Sequence, residues 1–196
     1  MKQLIVATKN AGKAKEFQTM FASLGIETLS LLDLEQAPDV EETGITFEEN
    51  AKLKAEAIAK AYNVPVIADD SGLEIEALHG EPGVFSARYA GMDKSDEKNI
   101  DKVLEKMRGV ADGHRKARFV CALAVARPGK ETIIVEGYCN GHIGYERKGN
   151  NGFGYDPIFM INDTTSMAEL SKDEKNAISH RRDALNQLER QVRALF

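Results

Sequence analysis

The chain has 196 residues, of which 42% are hydrophobic and 29% charged, and it contains 16 Gly and 5 Pro. This length suits one domain with a real hydrophobic core, and the composition disfavours collagen-like, low-complexity and disordered proteins. The 31 acidic residues outnumber the 26 basic ones, for a formal net charge of −5. A general binder of nucleic-acid polymers is therefore disfavoured, while a local cationic pocket stays open.

The cysteines and the apolar runs indicate the compartment. Cys121 and Cys139 stand in separate apolar stretches without CxxC spacing, which disfavours a zinc knuckle or a disulfide scaffold and suits a reducing compartment. Both are predicted to be buried packing residues. The apolar run 4–7 is too short for a signal-peptide core, and no run approaches the roughly 20 residues that span a bilayer. We expect a cytoplasmic protein with no membrane partner.

Two helices are predicted in the first third of the chain. The run 4–7 predicts a strand, and a polar turn then leads into a helix over 14–24. The apolar residues of that helix recur at helical spacing: Phe17, Met20, Phe21 and Leu24. Thr46 and Glu49 form a T-x-x-E capping box, which predicts a second helix that starts at Thr46 and extends to Tyr62.

The middle of the chain is predicted to be mainly strands. Residues 65–68 indicate a buried strand that ends at the acidic pair of Asp69-Asp70-Ser71-Gly72, with 73–75 extended beyond the glycine. Residues 97–107 have the apolar spacing of a helix. Two long strands, 117–126 and 132–143, are separated by a Pro-Gly turn and predict an antiparallel hairpin.

A Gly-rich loop and a terminal helix complete the predicted elements. Gly149, Gly152 and Gly154 precede an aromatic stretch that ends at 159. The last helix is predicted over 179–196, with an apolar stripe of Leu185, Leu188, Val192 and Leu195. No repeat, long linker or sharp boundary divides the chain, so residues 1–196 are predicted to form one domain.

The first candidate site is the turn between the first strand and the first helix. Its residues are Thr8, Lys9, Asn10, Ala11, Gly12 and Lys13. Backbone N–H groups and the positive end of a helix can face a phosphate there, and Lys13 adds a charge. The turn is not a P-loop, which would need Gly at position 7 and Ser or Thr at position 14. An ordinary capped turn with solvent-facing lysines remains the alternative.

Carboxylates supply the second candidate. Asp69 and Asp70 follow a buried strand, where they need a cation, a hydrogen-bond network or solvent. Magnesium is the natural cation beside a phosphate. Glu42 and its neighbour Glu41 precede the second helix, and Lys54 lies on it. The alternatives are a solvated Glu pair that complements the helix dipole and a simple turn at Asp69–Gly72.

The third candidate combines aromatic, acidic and basic groups. Gly152-Phe153-Gly154-Tyr155-Asp156 has the flexibility, rings and carboxylate to stack on a flat base and accept its N–H. Anchoring of the loop to the core by its aromatics is equally open. Lys175 and the segment 179–182 place donors near a helix start, although a basic helical face is usually solvated.

Six motifs in order resemble the inosine/xanthosine triphosphate pyrophosphatase family across nearly the whole chain. They are TKNAGK (8–13), EETGITFEENAKLKA (41–55), ADDSGL (68–73), FSARYAG (85–91), GFGYDPIF (152–159) and KNAISHRRDAL (175–185). The resemblance implies an α/β fold, with a mixed central sheet, flanking helices and two lobes around a nucleotide-binding cleft. It also implies a homodimer, to which the hairpin strands 117–143 are expected to contribute, and hydrolysis of a deaminated purine nucleoside triphosphate with Mg²⁺.

The resemblance also implies residue roles. The 8–13 turn would bind the triphosphate, with Lys54 as a further phosphate ligand. Glu42 and Asp70 would bind magnesium, and Asp70 would also be the catalytic base, one oxygen holding the ion and the other orienting water. The remaining substrate contacts would come from Ser71, Phe153, Gly154, Tyr155, Asp156, Lys175, His180 and Arg181.

This assignment agrees with the chemistry of the reaction. Cleavage between the α and β phosphates needs a nucleophilic water, a divalent ion and cationic groups, but no covalent nucleophile. Inosine and xanthine carry a 6-oxo acceptor where adenine has an amino donor, so Arg181 or a backbone N–H could discriminate them. How GTP is rejected does not follow from the sequence.

Two other hypotheses stay open from the sequence. One is a related pyrophosphatase for modified pyrimidine or methylated nucleotides, and the other is a nucleotide sensor without turnover. Asp69, Asp70 and Lys13 favour turnover over sensing. The sequence does not rank ITP, dITP and XTP, and it does not choose between ribose and deoxyribose.

Overall fold

The computed structural model describes residues 3–23 and 25–192. Within these ranges one sheet has six strands in the order β2-β1-β3-β4-β5-β6. The strands are β1 (Gln3–Val6), β2 (Glu27–Ser30), β3 (Val66–Ile75), β4 (Lys116–Ala126), β5 (Ile133–Ile143) and β6 (Phe159–Met160). Strand β1 pairs in parallel with β2 and β3, whereas β5 and β6 are antiparallel. The sheet is thus mixed, and the predicted fold class is confirmed.

Side-chain caps explain where the helices begin. The helices of the described ranges are α1 (Ala11–Ala22), α2 (Phe47–Tyr62), α3 (Asp96–Lys106), α4 (Lys172–Ile178) and α5 (His180–Val192). Asn10, Thr46, Ser95 and Ser171 cap the first four, each side-chain oxygen accepting a hydrogen bond from the backbone N–H three residues later. Such a cap satisfies an N–H group that has no partner inside the helix.

The chain divides into two compact units. Unit 1 consists of Met1–Asp70, Cys121–Gly137 and Arg181–Phe196. Its core combines the apolar faces of β1, α1 and α5 with inward residues of β3, β4 and β5. The buried members of this core include Leu4, Val6, Phe17, Met20, Phe21, Ile67, Leu123, Val125, Val135, Leu185 and Leu188.

Unit 2 consists of Ser71–Val120 and Tyr138–His180. Its core gathers the remaining parts of β3, β4 and β5 around the apolar face of α3. The buried members include Leu73, Ile75, Ile100, Val103, Met107, Phe119, Ile143, Tyr155, Ile158, Phe159 and Met167. The assignment of 1–196 to a single pyrophosphatase domain stays a prediction.

The structure corrects the expected end of β3. Asp69 and Asp70 lie in the middle of a ten-residue strand rather than at its end. The strand continues because Leu73 and Ile75, beyond the glycine, are fully buried in the core of unit 2. Both carboxylates are consequently held on an extended backbone and are themselves buried.

Two other predictions change in their bounds. Helix α1 begins at Ala11 because Asn10 caps it, so residues 11–13 form its first turn. A short helix, α4, precedes α5, and the extended residue Ser179 separates them. The long strands β4 and β5 are neighbours, as expected. Of the predicted apolar stripes, Leu24 and Leu195 lie outside the described residues, and so does the side chain of Val192.

Candidate active site

The turn after β1 is built as a helix start. The hydroxyl oxygen of Thr8 accepts a hydrogen bond from Asn10 N (3.1 Å), and Asn10 Oδ1 accepts one from Lys13 N (3.0 Å). Ala11 and Gly12 lie in the first turn of α1, and Lys9 is exposed with an ion pair to Asp39. The positive end of a twelve-residue helix is thereby presented beside lysines, an arrangement that suits an anion.

Asp69 is the centre of a buried charge network in unit 1. Its side chain has no exposed surface and forms ion pairs with Lys13 and, at 3.2 Å, with Arg181 Nε. Cys121 Sγ donates a hydrogen bond to Asp69 Oδ2 (3.1 Å). Arg181 also pairs with Glu16 at 2.9 Å. These contacts fix the positions of two cationic groups from α1 and α5.

Lys54 joins the two predicted metal ligands. Its Nζ lies 2.6 Å from Glu42 Oε1 and 3.2 Å from Asp70 Oδ1. Asp70 Oδ2 is buried and has no hydrogen-bond partner among the described residues. Since one ammonium already sits against both carboxylates, Glu42 and Asp70 are close enough to share one cation.

The two neighbouring acids are tuned in opposite directions. Burial would raise the pKa of Asp69, but Arg181 and Lys13 outweigh it and hold the pKa far below the usual range. Burial raises the pKa of Asp70, and Lys54 and Lys13 only partly offset it. Burial opposes the charge of Lys54, yet Asp70 and Glu42 raise its pKa. Of the two acids, Asp69 is therefore the one that favours the charged form, and Asp70 has the greater affinity for a proton.

In unit 2, residues 152–156 form the loop that is predicted to bind the nucleobase, and we name it the base loop. Asp156 holds its conformation. Asp156 Oδ2 accepts hydrogen bonds from Phe153 N (3.0 Å) and Lys175 Nζ (2.5 Å). The Lys175 ammonium also lies 4.6 Å from the centroid of the half-buried Phe153 ring. A cation on one ring face supports the ring electrostatically and keeps its orientation.

The two aromatics of the base loop differ. Tyr155 is buried, and its hydroxyl donates to Ser86 O (2.8 Å). Burial, with Tyr89 and Asp96, raises its pKa. For Tyr155 the structure therefore favours anchoring of the loop to the core, and Phe153 is the ring that keeps accessible surface. His180 is buried too and stacks on Phe119, with ring centroids 5.0 Å apart.

The structure brings the predicted residues together in two sets. Unit 1 contains the 8–13 turn, Glu42, Lys54, Asp70 and Arg181, whereas unit 2 contains the base loop, Lys175 and His180, with the half-buried Ser71 on its part of β3. Sequence reasoning missed the ion pair of Glu16 with Arg181 and the hydrogen bond of Cys121 to Asp69. It also missed the hydrogen bond that Gly154 N donates to Asp96 Oδ2, and it gave Asp69 no specific role. A glutamate on an amphipathic helix gives no local signal of such a contact.

The structure adds two observations on metals and membranes. Among the described residues, no group of three or more His, Cys, Asp or Glu side chains could hold a metal ion. A magnesium ion that is bound by two carboxylates together with substrate phosphates does not require three protein ligands. In the same part of the chain, no helix is both long and apolar enough to cross a bilayer.

The two sets suit an α/β enzyme that acts on nucleotides: unit 1 groups carboxylates with cations, and unit 2 has a Gly-aromatic loop beside a buried lysine. The comparison with known families makes this specific. The chain belongs to the Ham1 family, whose model matches residues 4–191.

Individual relatives agree over nearly their full lengths. A dITP/XTP pyrophosphatase of Oceanobacillus iheyensis is 60% identical over 192 residues, covering 97% of this chain and 98% of that protein. One from Geobacillus kaustophilus is 56% identical, covering 97% and 94%. The solved structure of the Staphylococcus aureus Ham1 protein matches with a TM-score of 0.86 and 48% identity, covering 98% of this chain and 99% of that one. The family resemblance predicted from the six motifs is confirmed.

Proposed function

We propose that this Ham1-family nucleoside triphosphate pyrophosphatase hydrolyses deaminated purine nucleoside triphosphates, namely ITP, dITP and XTP, to the monophosphate and pyrophosphate. The reaction would remove these nucleotides before polymerases incorporate them into DNA or RNA. The names of the relatives support the substrate class. The observation that carries the proposal is the Lys54 ammonium held against Glu42 and Asp70. We also propose that the enzyme acts as a homodimer in the cytoplasm.

The charge balance in unit 1 supports a requirement for Mg²⁺. The cations Lys13, Lys54 and Arg181 are paired with four carboxylates: Glu16, Glu42, Asp69 and Asp70. These cations are neutralised before a triphosphate arrives, so a polyanion needs additional positive charge. Carboxylate oxygens are the ligands Mg²⁺ prefers, and the unpartnered Asp70 Oδ2 fits that need. Glu42 and Asp70 would hold the ion.

Asp70 is proposed as the general base. The oxygen of a water molecule would bond to the α-phosphorus, and the bond from that phosphorus to the oxygen bridging the α and β phosphates would break. Pyrophosphate would leave with the bridging oxygen, and Asp70 would accept a proton from the water. The raised pKa of Asp70 makes its carboxylate a stronger base than an ordinary aspartate. A magnesium ion held by Glu42 and Asp70 would supply positive charge to the phosphates and would lower the pKa of the attacking water. Lys13 and Lys54 would stabilise charge that develops on pyrophosphate.

The base loop is proposed to select the base. Phe153 would stack on the purine, and Lys175, His180 and Arg181 would supply donors to its 6-oxo group. Asp156 is occupied by Phe153 N and Lys175 Nζ through Oδ2, so its main contribution is to hold those two groups. Gly154 and Ser71 would complete the contacts between the substrate and unit 2, and the buried Tyr155 would act indirectly by anchoring the loop to Ser86 O.

The first test is pyrophosphate release from ITP, XTP, dITP, GTP, ATP and dUTP at equal concentration, with magnesium or with EDTA. We expect release from the deaminated purines alone and none in EDTA. Best turnover of dUTP would refute the assignment of the base, and binding of ITP without turnover would indicate a sensor.

A matched pair of variants tests the role of Lys54. Lys54→Met removes the ammonium between Glu42 and Asp70 and is expected to lower kcat/KM for ITP at least about 100-fold. Lys52→Met changes a half-exposed lysine on the same helix, 4.0 Å from Glu56, and is expected to leave kcat/KM unchanged. Equal kinetics of the two variants would contradict the assignment of Lys54.

A further inference from the structure

The motif 85–91 has no place in the proposed chemistry, yet it is tied to α3 and to the base loop. Asn99, buried on α3, accepts a hydrogen bond from Ala90 N (2.7 Å) and donates one to Ala87 O (3.2 Å). At the other end of the motif, Ser86 O accepts the hydroxyl of Tyr155. The motif therefore connects the first turns of α3 with the base loop.

Asp96 closes this circuit of hydrogen bonds. It lies on the first turn of α3, three residues before Asn99, and its Oδ2 accepts a hydrogen bond from Gly154 N (2.7 Å). A carboxylate in the first turn is stabilised by the helix dipole, and a charged acceptor makes a stronger bond to an N–H group than a neutral one does.

These hydrogen bonds hold the backbone on both sides of Phe153. The peptide plane before Phe153 is held because its N–H donates to Asp156. The plane after Phe153 is held because the N–H of Gly154 donates to Asp96. Since a peptide unit is planar, fixing the planes on both sides of a Cα atom fixes its φ and ψ, and with them the direction of its side chain. Two carboxylates from different elements therefore set the direction of the Phe153 Cα–Cβ bond, from which the ring projects.

We propose that Asp96 is a positioning residue for base recognition, holding the Gly154 peptide so that the Phe153 ring is preorganised to stack on the purine. This inference rests on the proposed function for its substrate. Gly154 has φ +60°, and among the described residues other than its two chain neighbours no atom lies within 4 Å of the position that a Cβ would occupy there, so packing does not confine it. Without Asp96 the Gly154 peptide would be free to rotate, and ordering the loop would then oppose binding.

Three variants separate this role from a general effect on α3. Asp96→Ala removes the acceptor, whereas Asp96→Asn loses the charge but keeps an acceptor oxygen. Glu97→Ala removes an equivalent first-turn charge from the next residue, whose carboxylate pairs with Arg147 at 3.0 Å rather than with the base loop. Both positions are exposed, so the variants are expected to fold.

Steady-state kinetics with ITP provide the first readout. Asp96→Ala is expected to raise KM about threefold to tenfold, the range for one lost hydrogen bond at an exposed position, with kcat within about twofold of the parent. Asp96→Asn keeps an acceptor but not the charge and is expected to raise KM less than Asp96→Ala does, and Glu97→Ala is expected to stay near the parent KM. A KM for Asp96→Ala equal to that of Glu97→Ala, or a loss confined to kcat, would overturn the proposal.

Hydrogen exchange provides a readout that does not depend on turnover. In the unliganded protein, the peptide covering 150–156 is expected to exchange faster in Asp96→Ala than in Glu97→Ala, and its exchange in Asp96→Asn should lie between that of the parent and that of Asp96→Ala. Equal exchange in all variants would refute the positioning role. If the parent hydrolysed none of the nucleotides tested, the proposed function would be wrong. The exchange comparison would still decide whether Asp96 orders the loop.

Discussion

Replacing Gly152 by alanine should test how Asp156 holds the base loop. Gly152 has φ +79°, and a Cβ atom there would collide with Asp156 Oδ2 and come within 2.9 Å of Asp156 Cγ. The carboxylate would have to move away from Phe153 N and Lys175 Nζ, which it contacts at 3.0 and 2.5 Å. Gly154 offers a matched control, because its φ is +60° but, apart from its chain neighbours, no atom in the described part of the chain lies within 4 Å of an added Cβ.

Both variants are expected to lose free energy of unfolding through backbone strain, but only one of them also disturbs a buried ion pair. Both place an alanine in the left-handed region, which costs about 1–2 kcal/mol. Only Gly152→Ala also displaces Asp156, whose side chain is 4% exposed beside a Lys175 side chain that is 8% exposed. Breaking a buried ion pair costs about 3–5 kcal/mol when one partner is left uncompensated. We expect Gly152→Ala to lose about 3 kcal/mol more free energy of unfolding than Gly154→Ala.

Urea titration of both variants and the parent measures this difference. The slope m should stay constant, so the separation between the midpoints reports the difference in stability. A difference below about 1 kcal/mol would show that Asp156 can move without a loss of stability, and the argument from the buried ion pair would be wrong.

Three further changes test other parts of the structure. Asp70→Asn should lower kcat for ITP about 100-fold to 10,000-fold, because an amide cannot accept the proton of water, and full turnover would refute the assignment of the base. Thr46→Ala should lower the free energy of unfolding by about 1 kcal/mol in a urea titration, through loss of the α2 cap. Cys121 and Cys139 should resist iodoacetamide at about pH 8 until urea is added, because both are buried and burial, reinforced by Asp69, raises the pKa of the Cys121 thiol. Labelling of the folded protein would contradict that burial.

Elements with a strong local pattern were predictable from the sequence. Helix α2 begins where the Thr46 motif predicts because the hydroxyl oxygen accepts a hydrogen bond from Glu49 N, although the Glu49 carboxylate itself bonds to Ile45 N. The neighbouring strands β4 and β5 follow from long apolar runs around a Pro-Gly turn. In both cases the residues that determine the structure are close together in the chain.

The course of β3 was not predictable in the same way. Two acids and a glycine resemble a turn, since charged side chains usually lie in solvent. Here partners from distant elements compensate Asp69 and Asp70, so the strand continues through them into the second core. A local sequence window contains none of those partners.

The same physical reason limits prediction of the site. Glu16 and Arg181 are 165 residues apart in the chain and form a buried pair, while an isolated glutamate on α1 resembles any solvated residue of an amphipathic helix. Asp96 likewise resembles a first-turn acid that serves only the helix dipole. What distinguishes it is the N–H of Gly154, brought to α3 by the packing of unit 2. Residue types predict which chemistry a site can perform, but the residues that orient it become identifiable only when the fold supplies their partners.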